Sequence, residues 1–179
     1  MIYVLLAEGF EEVEAIAPVD ILRRAGIEVK TAGVGGEYVY GAHNIQIKAD
    51  MKIEDIDISS AQGIVLPGGM PGTLNLQKDA TVNKLIEHCH NNNLLICAIC
   101  AAPMILGELG LLNGKKATCY PGFEEHLKGA VLGENPVEVS DNFITGKGPG
   151  ASFEFGCAIV NYIKGDGVGE KILSQMQYD

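Results

Sequence analysis

Basic residues are scarce in this 179-residue chain: 13 Lys and Arg stand against 23 Asp and Glu, a formal net charge of −10. That balance opposes binding to nucleic acid or to an anionic membrane surface and leaves small molecules and proteins as the expected partners. A bilayer-spanning stretch is lacking as well. The apolar run Leu94 to Leu106 is too short, contains Pro103 and is followed by Glu108. An export signal is also missing, because Ile2 to Ala7 has no basic residue ahead of it and runs straight into Glu8 and Glu11. There is no repeat, low-complexity tract or linker. The cysteines number five, odd and dispersed, which argues against a disulfide framework and for reduced thiols in a cytoplasmic setting. A single domain over residues 1–179, able to bury its own core, is the expectation.

The patterning that is present alternates strands with helices. Ile2 to Ala7 has the character of a buried strand, followed by a helix over about Glu11 to Arg24 with acids in its first turn and Arg23 and Arg24 in its last. Gly26 ends it. Pro18 removes a donor to the carbonyl of Glu14 and predicts a kink there. Glu14 falls at the edge of an apolar stripe with Val13, Ile16, Ala17 and Ile21, which makes a partly buried carboxyl conceivable beside the plainer reading of a solvated one. Ile27 to Ala32 predicts a second strand, Tyr38 to Ala49 a hairpin turning through Gly41 to Asn44, and Gly63 to Leu66 a third strand closed by Pro67-Gly68-Gly69. A helix from about Thr81 places Val82, Leu85, Ile86 and Cys89 on one face. Beyond Leu109 come shorter, more polar pieces, then the strands Val137 to Val139 and Asn142 to Thr145, and helices over Ala151 to Tyr162 and Val168 to Gln177. The alternation predicts an α/β fold, a flavodoxin-like, doubly wound, mostly parallel sheet with helices on both faces. Ligand chemistry in such a sheet belongs at the carboxyl ends of the strands, where Glu8-Gly9, Gly68-Gly69 and Cys100 all fall.

Cys100 is the centre of that convergence. Leu94 to Ile99 predicts a buried strand, and from Ala102 a helix begins with Pro103 in its first turn, so Cys100 occupies the strand-to-helix turn. Ala98 and Ala102, two residues to either side, are small enough for the chain to fold back on itself. This is the steric logic of a nucleophile elbow with Cys in place of Ser. The turn aims the thiol at a helix N-terminus, which predicts a lowered cysteine pKa. A buried cysteine serving only as a small hydrophobe is the alternative. Other constellations carry less. Cys97 and Cys100 form a C-x-x-C, but Cys97 lies within the strand, and a redox motif places its first cysteine at a helix start. His88, Cys89 and His90 are adjacent on a helix and point apart, so no metal site is expected from them. Neither Gly33-Val34-Gly35-Gly36 nor the glycines from Gly165 to Gly169 make a phosphate-binding fingerprint, and no nucleotide cofactor is expected.

Taken together, Ala7-Glu8-Gly9-Phe10-Glu11-Glu12-Val13-Glu14, Pro18 to Gly26, Leu66-Pro67-Gly68-Gly69, Ala98-Ile99-Cys100-Ala101-Ala102-Pro103 and Gly148-Pro149-Gly150-Ala151-Ser152-Phe153-Glu154-Phe155 resemble the ThiJ/PfpI superfamily, on the branch of the Parkinsonism-associated deglycase. The resemblance implies a homodimer, Cys100 as an oxidisable nucleophile, Glu14 as the carboxyl beside it, and Gly69 and Ala101 as backbone donors of an oxyanion hole. It implies a pocket including Gly68, Arg24, Gly148 and Pro149, with His43 where a second arginine occurs. Tyr120 before Pro121 stands where human-type members carry a histidine, so no histidine base is supplied there. Ala101 follows the nucleophile where the protease-like branch has histidine, which disfavours a PfpI-type peptidase or amidase.

The expected activity is conversion of a small 2-oxoaldehyde such as methylglyoxal, or a glycated substrate, to the 2-hydroxy acid through Cys100 and Glu14, without metal or cofactor. The alternative is a redox-responsive or chaperone-like protein whose Cys100 is oxidised to sulfinate.

Overall fold

A computed structural model describes residues 1–178. Eleven strands and six α-helices follow in chain order. They are β1 (Ile2–Leu6), α1 (Glu12–Arg24), β2 (Val29–Gly33), β3 (Tyr38–Tyr40), β4 (Gln46–Lys48), β5 (Met51–Lys52), β6 (Gly63–Leu66), α2 (Gly72–Lys78), α3 (Ala80–Asn91), β7 (Leu95–Ile99), α4 (Pro103–Glu108), β8 (Lys116–Ala117), β9 (Val131–Leu132), β10 (Val137–Ser140), β11 (Phe143–Gly146), α5 (Ser152–Lys164) and α6 (Val168–Gln175). Seven strands form one sheet in the order β10-β11-β7-β6-β1-β2-β5. All its pairings are parallel except β10 against β11. β3 and β4 make the separate antiparallel hairpin that the turn at Gly41 to Asn44 predicts.

The central strands are apolar on both sides because both faces are covered. Along β1, Tyr3 and Leu5 point into the core beneath α2, α3 and α4, with Leu76, Leu85 and Leu106; Ile2, Val4 and Leu6 point the other way, toward α1 and α5, with Ile21, Phe155 and Ile159. No described helix is long and apolar enough to cross a membrane. The chain runs from β1 outward to β2 and then returns to the other side of β1 for β6. The order of strands therefore reverses between β1 and β6, the place where doubly wound sheets open a crevice at their carboxyl ends.

Two details of α1 differ from the sequence reading. Val13 and Ile16 are 46% and 38% exposed, whereas Glu14, Ala15, Pro18, Val19, Ile21 and Leu22 are buried. The inward face is thus rotated from the stripe of apolar side chains, and Glu14 is at its middle rather than its edge. α1 also continues through Pro18 as one thirteen-residue helix. The helix α2 and the two-residue strands β5 and β9 have no counterpart in the sequence reading; they are too short for periodicity to announce them.

Candidate active site

The loops that leave β1, β6, β7 and β11 build one locus. β7 ends at Ile99, and Cys100 takes φ +65°, a left-handed conformation that costs a non-glycine residue about 1–2 kcal/mol and persists only where the surroundings hold it. Here both of its backbone groups are held. The Cys100 N–H donates to the Gly146 carbonyl (2.9 Å) at the end of β11, and the Cys100 carbonyl accepts from the Tyr120 N–H (2.8 Å). Cys100 is the only one of the five free cysteines that is not fully buried.

Glu14 comes to the sulfur from α1. Its side chain is wholly shielded from solvent, Oε2 accepts from the Gly68 N–H at 2.8 Å, and Oε1 has no conventional partner. The group beside the carboxyl is the Cys100 thiol. Gly68 has to be glycine: a Cβ there would stand 2.6 Å from Cys100 Cβ and 2.7 Å from Glu14 Oε2. The backbone N–H groups of Gly69 and Ala101 face the sulfur from the other side and favour its thiolate form.

The electrostatics correct one expectation. Burial, and then the charge and hydrogen bond of Glu14, push the Cys100 thiol up to about 12, against the opposing pull of the Gly69 and Ala101 donors. The helix that was to acidify it, α4, has only six residues and starts at Pro103. Burial likewise pushes the Glu14 carboxyl up to about 7, partly offset by its hydrogen bonds with Cys100 and Gly68. Near neutrality the carboxyl is therefore close to half-protonated while the thiol keeps its proton. With Glu14 protonated, the charge that raises the thiol is gone, and the carboxyl becomes a donor to sulfur.

Of the residues expected in the site, Cys100, Glu14, Gly68, Gly69 and Ala101 come together. Gly148 and Pro149 line, with Tyr120, Pro121 and Pro136, a cavity of about 340 Å³ whose walls include none of those five residues; its link to them is the Tyr120 N–H that donates to the Cys100 carbonyl. Two do not join. Arg24 sits ten residues beyond Glu14 on the same helix, roughly 15 Å along its axis, and binds Asp20 (2.8 Å). His43 turns away from the sulfur toward Glu12 (2.9 Å) and Glu11 (3.5 Å). Glu11 and Glu12 were legible in the sequence only as acids suited to a helix start. Nothing local linked them to His43.

An open parallel α/β sheet with a cysteine on a left-handed strand-to-helix turn, and a buried carboxyl held against it, places the chain in a class of parallel α/β proteins that carry a cysteine at the sheet's carboxyl edge. Within that class, the signature of the DJ-1/PfpI family matches residues 1–162, and the chain belongs to that family. It is 39% identical to Protein DJ-1 homolog B of Arabidopsis thaliana over 89% of this chain, which spans only 37% of that longer protein. It is 33% identical to the glutathione-independent glyoxalase DJR-1.2 of Caenorhabditis elegans, covering 88% of this chain and 85% of the relative. The structure of oxidised Toxoplasma gondii DJ-1 superimposes with a TM-score of 0.94 at 34% identity, over 99% of this chain and 97% of the other.

Proposed function

We propose that the protein converts small 2-oxoaldehydes to 2-hydroxy acids using Cys100 and Glu14 alone. The observation that carries this reading is the carboxyl–thiol pair: a carboxyl raised to about 7, held by the Gly68 N–H and set against a thiol on a strained turn. A general acid/base poised near the working pH is what proton relocation between adjacent carbons requires.

In this scheme Glu14 accepts the thiol proton as the sulfur adds to the aldehyde carbon, giving a hemithioacetal. The N–H groups of Gly69 and Ala101 stabilise the alkoxide that forms. Glu14 returns the thiol proton to that alkoxide, and its carboxylate then carries the hydrogen of the same carbon, as a proton, to the neighbouring ketone carbon while the hydroxyl proton passes to the ketone oxygen. The product is the thioester of the 2-hydroxy acid, and water hydrolyses it to free acid and thiol. Substrate and water supply every atom of the product, and no net oxidant is consumed. The relative in Caenorhabditis elegans, which bears the name of a glutathione-independent glyoxalase, supports the same reading. Tyr120 in place of a histidine leaves Glu14 as the one proton carrier at the sulfur. The exposed Val13 and Ile16 on α1 offer an apolar face for the homodimer that the family resemblance implies.

A second reading, a redox-responsive protein whose Cys100 passes to sulfinate, draws support from the oxidised form of the Toxoplasma gondii relative. One assay separates them. Purified protein should consume methylglyoxal and form lactate in equal amounts, and Cys100→Ser should not. Turnover no faster than that of free thiol at the same concentration would leave only the redox reading.

A further inference from the structure

Away from the sulfur, three donor groups from two elements converge at the start of α1. The turn after β3 is tied to the loop after β1 by two backbone bonds, Gly9 N–H to the Tyr40 carbonyl and Ala42 N–H to the Phe10 carbonyl, both 2.8 Å. This fixes His43 over Glu11 and Glu12. The Glu12 side chain is 8% exposed. Its Oε1 accepts from the backbone N–H of His43 (2.8 Å) and Ile45 (3.4 Å), which orients Oε2 toward the imidazole. Gly41 makes room for that carboxylate, since a Cβ there would overlap its oxygen and carbon atoms.

His43 Nδ1 lies 2.9 Å from Glu12 Oε2 and 3.5 Å from Glu11 Oε2, and one ligand atom from each of the three residues falls within 4.8 Å of the others. Neither carboxylate pairs with a lysine or arginine among the described residues. Metal–ligand distances of about 2.0–2.2 Å in a tetrahedral zinc site put neighbouring ligand atoms roughly 3.4 Å apart. The two spacings at His43 bracket that value. One imidazole nitrogen and two carboxylate oxygens are a donor set for a borderline divalent ion rather than for calcium or magnesium, which take oxygen shells. The backbone donors on Glu12 Oε1 are the outer contacts that orient a ligating carboxylate. His43 is 69% exposed, so solvent reaches the fourth position.

We propose that Glu11, Glu12 and His43 form a site for a divalent transition-metal ion, Zn²⁺ by donor chemistry, with water as the fourth ligand. It uses neither Cys100 nor Glu14, although the charge of Glu11 reaches Glu14, and it does not rest on the activity proposed for them. Adjacent histidines at 88 and 90 held the only metal pattern visible in the sequence, whereas this site joins residues 31 positions apart.

The test uses the untagged full chain with Cys100→Ser, so that the thiol cannot bind the ion, and titrates ZnCl₂ by competition with a chromophoric chelator. One equivalent should bind, and adding His43→Gln, an exchange at an exposed side chain, should weaken binding at least tenfold. Glu12→Gln should do the same. Co²⁺ added to wild-type protein should give visible d–d bands without a thiolate-to-metal charge-transfer band. The proposal is overturned if Cys100→Ser protein takes up no zinc, if His43→Gln binds as tightly as its parent, or if the cobalt spectrum shows thiolate ligation alone.

Discussion

Glu14→Gln exchanges one oxygen for an amide nitrogen and removes a titration. In the folded protein this carboxyl is raised from 4.5 to about 7, chiefly by burial, with no solvent reaching the side chain. A carboxyl that keeps its proton longer when folded contributes stability that is complete below its unfolded value near 4.5. That contribution is lost as pH rises through about 7. At about 1.4 kcal/mol per pH unit, the loss across this interval comes to about 3 kcal/mol. Glutamine keeps an acceptor for the Gly68 N–H and never ionises. Its stability relative to wild type should therefore climb by about 3 kcal/mol between pH 4.5 and 8, while turnover of methylglyoxal falls about 10²-fold with loss of the proton carrier. Urea unfolding of both proteins at each pH reads the difference directly, because titrating groups that do not touch Glu14 cancel. A difference that stays flat with pH, or that favours wild type at pH 8, would refute the account of Glu14 as a buried carboxylate ionised at a cost.

Iodoacetamide at neutral pH should label Cys100 before Cys89, Cys97, Cys119 or Cys157, since those four are buried whereas Cys100 is partly open to the reagent. At pH 8 the Glu14→Gln protein should label faster at Cys100, because the carboxylate charge that raises the thiol has been removed; peptide mapping over time checks both. Gly68→Ala should destabilise by about 1–3 kcal/mol, as overpacking does. It should also abolish turnover, because its Cβ would stand 2.6 Å from Cys100 Cβ and must displace either the thiol or the Glu14 carboxyl. Retained activity with unchanged denaturation would show that the two groups are not packed as described.

What the sequence determined by itself is what local pattern encodes. Apolar runs the length of strands, helical spacing in Val82, Leu85, Ile86 and Cys89, and terminators such as Gly26 and Asn91 to Asn93 specify the alternation of elements, and the alternation specifies a parallel sheet. The elbow was legible too, because Ala98, Cys100 and Ala102 meet a steric demand within five residues. Other features depend on which segments meet. The burial of Glu14 follows from how α1 is rotated on the sheet, and side-chain polarity alone pointed to Val13 and Ile16, which are exposed. The Cys100 thiol is raised first by burial and then by a carboxyl 86 positions earlier in the chain, so reasoning from the local turn gave the wrong direction. Arg24 and His43 were placed in the pocket by motif. Helix geometry carries Arg24 away from its own Cys100, and the hairpin turns His43 onto Glu11 and Glu12. Desolvation and charge act through space, and distances between residues far apart in the chain exist only once it has folded.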